Sequence, residues 1–162
     1  MDDVSRPRVA GYLLGQGICL AAVAWPERPR DPAHRPGRFS RVAGLGMMAG
    51  GAGLAFWGMA GLGGQLQASP APRAGAALRT EGAYGIVRHP IYAGLLLGAA
   101  GRALRSGGRR HRLGALALAA LLDSKSRYEE GFLRRRHPGY EEYAARVPRL
   151  LPRHRVGAPS RS

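Results

Sequence analysis

Charge-free apolar runs alternate with arginine- and proline-rich stretches along the 162 residues of the chain. The first run, Val9 to Trp25, holds about 17 residues, the lower limit for crossing a hydrocarbon core. Trp25 at its end suits a membrane interface. Arg6 and Arg8 before the run, and the small residues Ala22-Val23-Ala24 near its end, equally describe a cleavable signal segment. Residues 26–41 read as a loop: Pro26, Pro29, Pro32, Pro36 and Gly37 oppose a helix, and five arginines keep the segment in water or among headgroups. The second run, Val42 to Gly64, has 23 residues and no charge, which makes it the strongest spanning candidate. Its glycines cost helix propensity in water and permit close helix packing in lipid. Gly46 and Gly50 have the small-xxx-small spacing, which abundant glycine alone would also produce.

Residues 65–83 are polar and irregular, with Pro70 and Pro72 as breakers. Pro90 then opens a third helix, because proline has no N–H to lose in a first helical turn. Ile91 to Leu104 is apolar except for Arg102, Arg105 to Arg112 is a basic turn around Gly107-Gly108, and Leu113 to Leu122 is apolar again. At about 14 and 10 residues, these two runs predict a helical hairpin rather than two independent full spans. From Asp123 the helix continues as a charged segment to about Arg136, and His137-Pro138-Gly139 breaks it. A short helix carrying Tyr140 and Tyr143 follows, ended by Pro148 and Pro152. The pattern predicts an all-α fold, a polytopic membrane helix bundle of about four membrane segments with a cytosolic C-terminal helical segment. A single domain covers residues 1–153, and 154–162 form a disordered basic tail.

The net charge of +15 comes almost wholly from arginine, since Lys125 is the one lysine. Richness in Ala, Gly, Arg and Pro matches the codon bias of a GC-rich bacterial genome. The mean hydropathy of −0.21 averages over apolar runs and the arginines between them. Such a chain binds nucleic acid or flanks membrane helices. The first option is disfavoured by the run 42–64 and by the lack of aromatics among the arginines. Cys19 is the sole cysteine, so no intrachain disulfide and no cysteine zinc site can form. Histidines 34, 89, 111, 137 and 154 lack metal-ligand spacing, and no metal is expected.

Candidate chemistry brackets the hairpin. His89 and Tyr92, three apart, share a face within a turn of a helix N-terminus. That is a seat for a carboxylate, or simply a capped helix start with an interfacial tyrosine. Lys125 and Glu129 also share a face. They form either a solvated i,i+4 pair worth about 0.3–0.5 kcal/mol or the wall of a pocket at the membrane surface. The adjacent Glu130 is a costly placement near lipid unless the acids have partners. Tyr140 and Tyr143 share a face, with Arg146 one turn on.

Together these residues resemble a family. The pattern runs Leu78, Thr80, Gly82-Ala83-Tyr84, Val87-Arg88-His89-Pro90, Tyr92 and Gly94. It continues through Lys125, Glu129-Glu130 and Leu133 to Tyr140, Tyr143, Arg146-Val147-Pro148 and Pro152. Over about residues 65–153 this is similar to the isoprenylcysteine carboxyl methyltransferase and phospholipid methyltransferase superfamily. The resemblance implies an integral membrane enzyme that uses S-adenosylmethionine in a cytosol-facing pocket closed by the C-terminal segment. It implies that Leu78, Arg79, Tyr84, His89, Pro90, Ile91, Tyr92 and Glu129 contact the cofactor and that Lys125 faces the substrate.

Methyl transfer needs donor and acceptor aligned and water excluded. Lys125 or Arg146 would orient a carboxylate or thiolate acceptor, and Glu130 would serve as base for an amine. The expected function is therefore methyl transfer to a hydrophobic or membrane-partitioning acceptor bearing a carboxyl, thiol or amine group. The expected location is a bacterial inner membrane, with the active site facing the cytoplasm. The expected partners are the lipid bilayer and a small lipid-like substrate, not nucleic acid.

The chain departs from the family in its very basic hairpin turn, in Arg102 and in its short fourth run. The topology also leaves the five arginines of 26–41 outside, against the positive-inside rule. The alternatives are a sterol-reductase-like NADPH-dependent membrane reductase, which Glu129-Glu130 disfavours, a non-enzymatic basic membrane- or nucleic-acid-binding protein, and a degenerate structural subunit.

Overall fold

A computed structural model of the chain describes residues 6–26, 36–62 and 78–151, and every regular element within them is a helix. The order is α1 (Arg6–Ala24), α2 (Arg38–Leu62), α3 (Ala83–Ile86), α4 (Pro90–Ser106), α5 (Arg109–Arg136) and α6 (Tyr140–Arg146). α1 and α2 are long and apolar enough to cross a membrane. The expected loop 26–41 ends early, because α2 starts at Arg38 and Arg41 N–H already bonds to Gly37 O at 3.1 Å. Nothing after Pro36-Gly37 opposes a helix, and arginine is a good helix former. Residues 27–35 of that loop, most of the irregular stretch 65–83 and the tail 154–162 lie outside the described residues.

The hairpin forms where the punctuation placed it. Pro90 is the first residue of α4, and Gly107 turns the chain with φ 65°, a left-handed value that glycine adopts without strain. Ser106 Oγ donates to Ala103 O at 3.2 Å and accepts from Gly108 N–H at 3.0 Å. The fourth run and the charged segment after it are one continuous 28-residue helix, α5. His137-Pro138-Gly139 separates it from α6.

α2 lies antiparallel against α4 along a glycine seam. A Cβ placed on Gly44 would stand 2.5 Å from Gly101 O, and one on Gly51 would stand 2.5 Å from Gly94 O. One on Gly58 would meet Pro90 Cγ at 2.9 Å. Glycines seven apart stay on one stripe, so backbone touches backbone at Gly44 and Gly51, and Gly58 seats the Pro90 ring. The small-xxx-small pair named from the sequence is not this seam. Gly46 has nothing within 4 Å, and Gly50 reaches only Leu97 Cδ2 at 3.8 Å. The stripe of Gly44, Gly51 and Gly58 faces α4, and Gly46 lies off it. Gly51→Ala is expected to destabilise the chain by about 1–3 kcal/mol, because its methyl group overlaps a main-chain carbonyl that cannot withdraw. Gly46→Ala is expected to be neutral or slightly stabilising. Unfolding midpoints in mixed micelles measure both, and equal effects would show that the seam is not tight.

α1 packs along α5. Val23, Ala99, Leu118 and Leu122 form a small core with Cys19, Leu20 and Tyr92 around it. Many other large apolar side chains point outward: Phe39 is 86% exposed and Ile18 70% exposed. Small residues inside and large apolar ones outside suit hydrocarbon as the surrounding medium.

Candidate functional site

The polar cluster forms where α4 begins and α5 leaves its apolar part. Val87 to His89 run as a link between α3 and α4, and its main chain is tied to the segment after α6. Arg88 N–H donates to Pro148 O at 2.9 Å and His89 N–H to Arg149 O at 3.1 Å. The Arg88 guanidinium donates from Nε (2.9 Å) and Nη2 (2.8 Å) to Glu130 Oε1. Its Nη1 donates to Ala144 O at 2.8 Å and to Val147 O. One arginine thus joins α5 to the last carbonyls of α6. Arg149 and Asp123 add a second tie between the same segments.

His89 lies between the two acids. Its Nε2 is 3.3 Å from Glu130 Oε1, and its Nδ1 is 3.5 Å from Glu129 Oε2. As the spacing predicted, His89 and Tyr92 share a face; their rings stack with centroids 5.5 Å apart. Tyr92 OH donates to Glu129 Oε1 at 2.6 Å. Lys125 Nζ stands 5.1 Å over the Tyr92 ring and donates to Gln16 Oε1 of α1 at 2.9 Å. Lys125 is 3% exposed and Glu130 2% exposed. The Lys125–Glu129 pair is therefore not a solvated one, because α1 covers that face of α5. Glu129 keeps a side chain 14% exposed, against 3% for that of Glu130.

The electrostatics follow from these contacts. Burial alone would raise the Glu130 carboxyl, but hydrogen bonds and charge from His89 and Arg88 together outweigh it and hold the group at about 2. Burial pulls the His89 imidazole down, yet bonds and charges from Glu129 and Glu130 win and raise it above its ordinary 6.5. Burial lowers the Lys125 ammonium, opposed only in part by the charge of Glu129.

The two signs define a stability window. Glu130, with its depressed value, contributes stability present above its ordinary 4.5 and lost as pH falls toward about 2. His89, with its raised value, contributes stability complete below 6.5 and lost as pH climbs through its higher folded value. Thermal unfolding in detergent should therefore show greatest stability between those limits, with the alkaline decline missing in His89→Gln. A decline unchanged in that variant would assign it to another group.

The other expected site residues take three places. Tyr84, Pro90 and Ile91 line the α2 side: Tyr84 OH donates to Gly58 O at 3.3 Å, and Pro90 and Ile91 pack on Gly58. Leu78 packs on Tyr140, Tyr143 and Val147, and Tyr143 OH donates to Tyr84 O at 2.7 Å. Arg79 and Arg146 are exposed, and the guanidinium hydrogen-bonded to Glu130 is that of Arg88, with Arg134 farther off at 3.7 Å. Sequence reasoning gave no role to Arg88 or Gln16. Gln16 had a signal, being the one amide in a charge-free run and four residues from Tyr12, whose hydroxyl lies 2.9 Å from Ser124 Oγ. No metal-binding group of three or more His, Cys, Asp or Glu exists among the described residues.

No curated protein and no solved structure matches the chain. A family model for phospholipid methyltransferases matches residues 39–138, from the first turn of α2 to just beyond α5. The match spans more than half of the sequence and encloses Arg88, His89, Tyr92, Lys125, Glu129 and Glu130. On that footing the chain belongs to the phospholipid methyltransferase family, a family of methyltransferases.

Proposed function

We propose that the chain transfers a methyl group from S-adenosylmethionine to a hydrophobic or membrane-partitioning acceptor. In this reading residues 1–153 act as one domain, α1 is retained, and the site faces the cytoplasm of a bacterial cell. The observation that carries the reading is the covered cluster of Arg88, His89, Tyr92, Lys125, Glu129 and Glu130 at the end of apolar helices, inside the family match.

The cluster fits the cofactor by its donor set. S-adenosylmethionine carries cationic sulfonium and ammonium groups and one carboxylate; bound, it supplies an electrophilic methyl group. Glu129 is the less covered acid, held by a hydroxyl and an imidazole but by no guanidinium. It is the partner for a cationic or hydroxyl group of the ligand. The first amides of α4 suit the carboxylate.

Each side chain then has a task. Tyr92 fixes the rotamer of Glu129 through its short hydrogen bond. Glu130, held at about 2, is a weak base near neutrality and instead anchors Arg88 and His89. Lys125, fixed by Gln16, orients an anionic acceptor at the edge of the cluster. The apolar helices exclude water.

Titration calorimetry of the purified protein in detergent tests this. Binding of S-adenosylmethionine and of S-adenosylhomocysteine is expected, and absence of both would overturn the assignment.

A further inference from the structure

The two ends of the bundle differ in charge. Every described carboxylate, from Glu81 and Asp123 to Glu142, belongs to the end that holds the cluster or to α6 beside it. The hairpin-turn end carries Arg105, Arg109, Arg110 and Arg112, with Arg38 and Arg41 at the adjoining start of α2. Contacts of Gly44 with Arg105 and of Gly107 with Pro36 bring these two groups together. Among the described residues no acid faces Arg109 or Arg110. Arg109 and Lys125 are 16 residues apart on α5, or about 24 Å along the axis, so most of a hydrocarbon core of about 30 Å separates the two ends.

At the basic end, α1 and α5 leave an open groove of about 540 Å³, within the usual 300–1,000 Å³ of ligand pockets. Ile18, Cys19 and Ala22 form one wall, and Leu113 and Ala117 the other. Gly114 makes the floor, so close to α1 that a Cβ there would stand 3.2 Å from Val23 Cγ2. Arg109 and Arg110 also line the groove, almost wholly through the apolar atoms of their stems. Trp25 marks the interface beside them. Its ring lies under the Arg110 guanidinium at 4.9 Å, and its carbonyl is held by Arg102 Nη2 (3.3 Å) and His111 Nε2 (3.1 Å).

We propose that this groove holds one net-anionic phospholipid of the surrounding bilayer, with an acyl chain between α1 and α5 and the phosphate on Arg109 and Arg110. The argument is charge complementarity joined to shape. Two guanidiniums that no described acid faces favour a phosphate, and an apolar slot continuous with them favours a molecule with a chain attached. A free phosphate leaves the slot unfilled, and an uncharged amphiphile leaves the arginines without an anion. The site is remote from the Glu129 cluster and does not depend on methyl transfer. It gives the basic turn a purpose, since a lipid there clips α1 to α5.

Cys19, the sole cysteine, reports on the groove directly. The full chain in neutral detergent micelles is alkylated with a maleimide, with phosphatidylglycerol or phosphatidylcholine added at equal mole fraction. Phosphatidylglycerol is expected to slow Cys19 alkylation several-fold more than phosphatidylcholine, and added salt should shrink the difference. The double variant R109Q/R110Q should abolish the difference while keeping the helical circular dichroism and the unfolding midpoint of the parent, which shows that the bundle is intact. Equal protection by both lipids, or a difference that survives R109Q/R110Q, overturns the proposal. Should the double variant not fold, native mass spectrometry of the unaltered protein decides instead: one retained phosphatidylglycerol supports the site, and none overturns it.

Discussion

Arg88→Ala is expected to destabilise the protein by about 3–5 kcal/mol, more than any other single change at the cluster. The substitution strips Glu130 of its nearer guanidinium while the carboxylate stays 2% exposed. It also leaves the carbonyls of Ala144 and Val147 without their charged donor. The magnitude comes from a buried charge left with only His89 and the more distant Arg134, not from the strength of the pair itself. The double variant Arg88→Met, Glu130→Leu should therefore recover much of the loss, because replacing both partners with apolar groups is often neutral. A double-mutant cycle from equilibrium unfolding in mixed micelles reads out the coupling. A cost below about 1 kcal/mol for Arg88→Ala would show that Glu130 is solvated in the working protein.

Glu129→Gln should leave the fold intact and weaken S-adenosylmethionine binding about 10- to 100-fold. Loss of a charged hydrogen-bonding partner costs about 1.5–3 kcal/mol, and each 1.4 kcal/mol is a factor of ten. The amide keeps the shape and can still accept from Tyr92, so the unfolding midpoint should stay within about 0.5 kcal/mol of the parent. This separates Glu129 from Glu130, whose variants disturb the packing of α6 first. Calorimetry with the variant and the parent measures the difference. Unchanged affinity would remove Glu129 from the binding site while leaving the rest of the cluster to be tested.

Much of the helical layout was legible in the chain, for a physical reason. Apolar runs without charge report their own length, and Pro90, Gly107-Gly108 and His137-Pro138-Gly139 act on the backbone locally. His89, Tyr92, Lys125 and Glu129 were legible because helical spacing puts each pair on one face. What could not be read were the choices made between helices. The seam of Gly44, Gly51 and Gly58 competes with other glycine stripes on α2, and only α4 decides among them. The partner of Lys125 is 109 residues away, on a helix outside the family match. Arg88 stood in the recognised pattern without a role, because nothing local distinguishes an arginine that finds three acceptors from one that meets water.

The tie between residues 88–89 and 148–149 runs through peptide groups: Arg88 and His89 donate their N–H to the carbonyls of Pro148 and Arg149. The identity of those two acceptors is invisible to the bond, since any residue supplies a carbonyl. The path of the chain is held there while the sequence is left free to drift. Side-chain scanning would register Arg149 only through its pair with Asp123 and would miss the main-chain tie, although shortening the chain before it would release the start of α4 without deleting one side chain of the cluster.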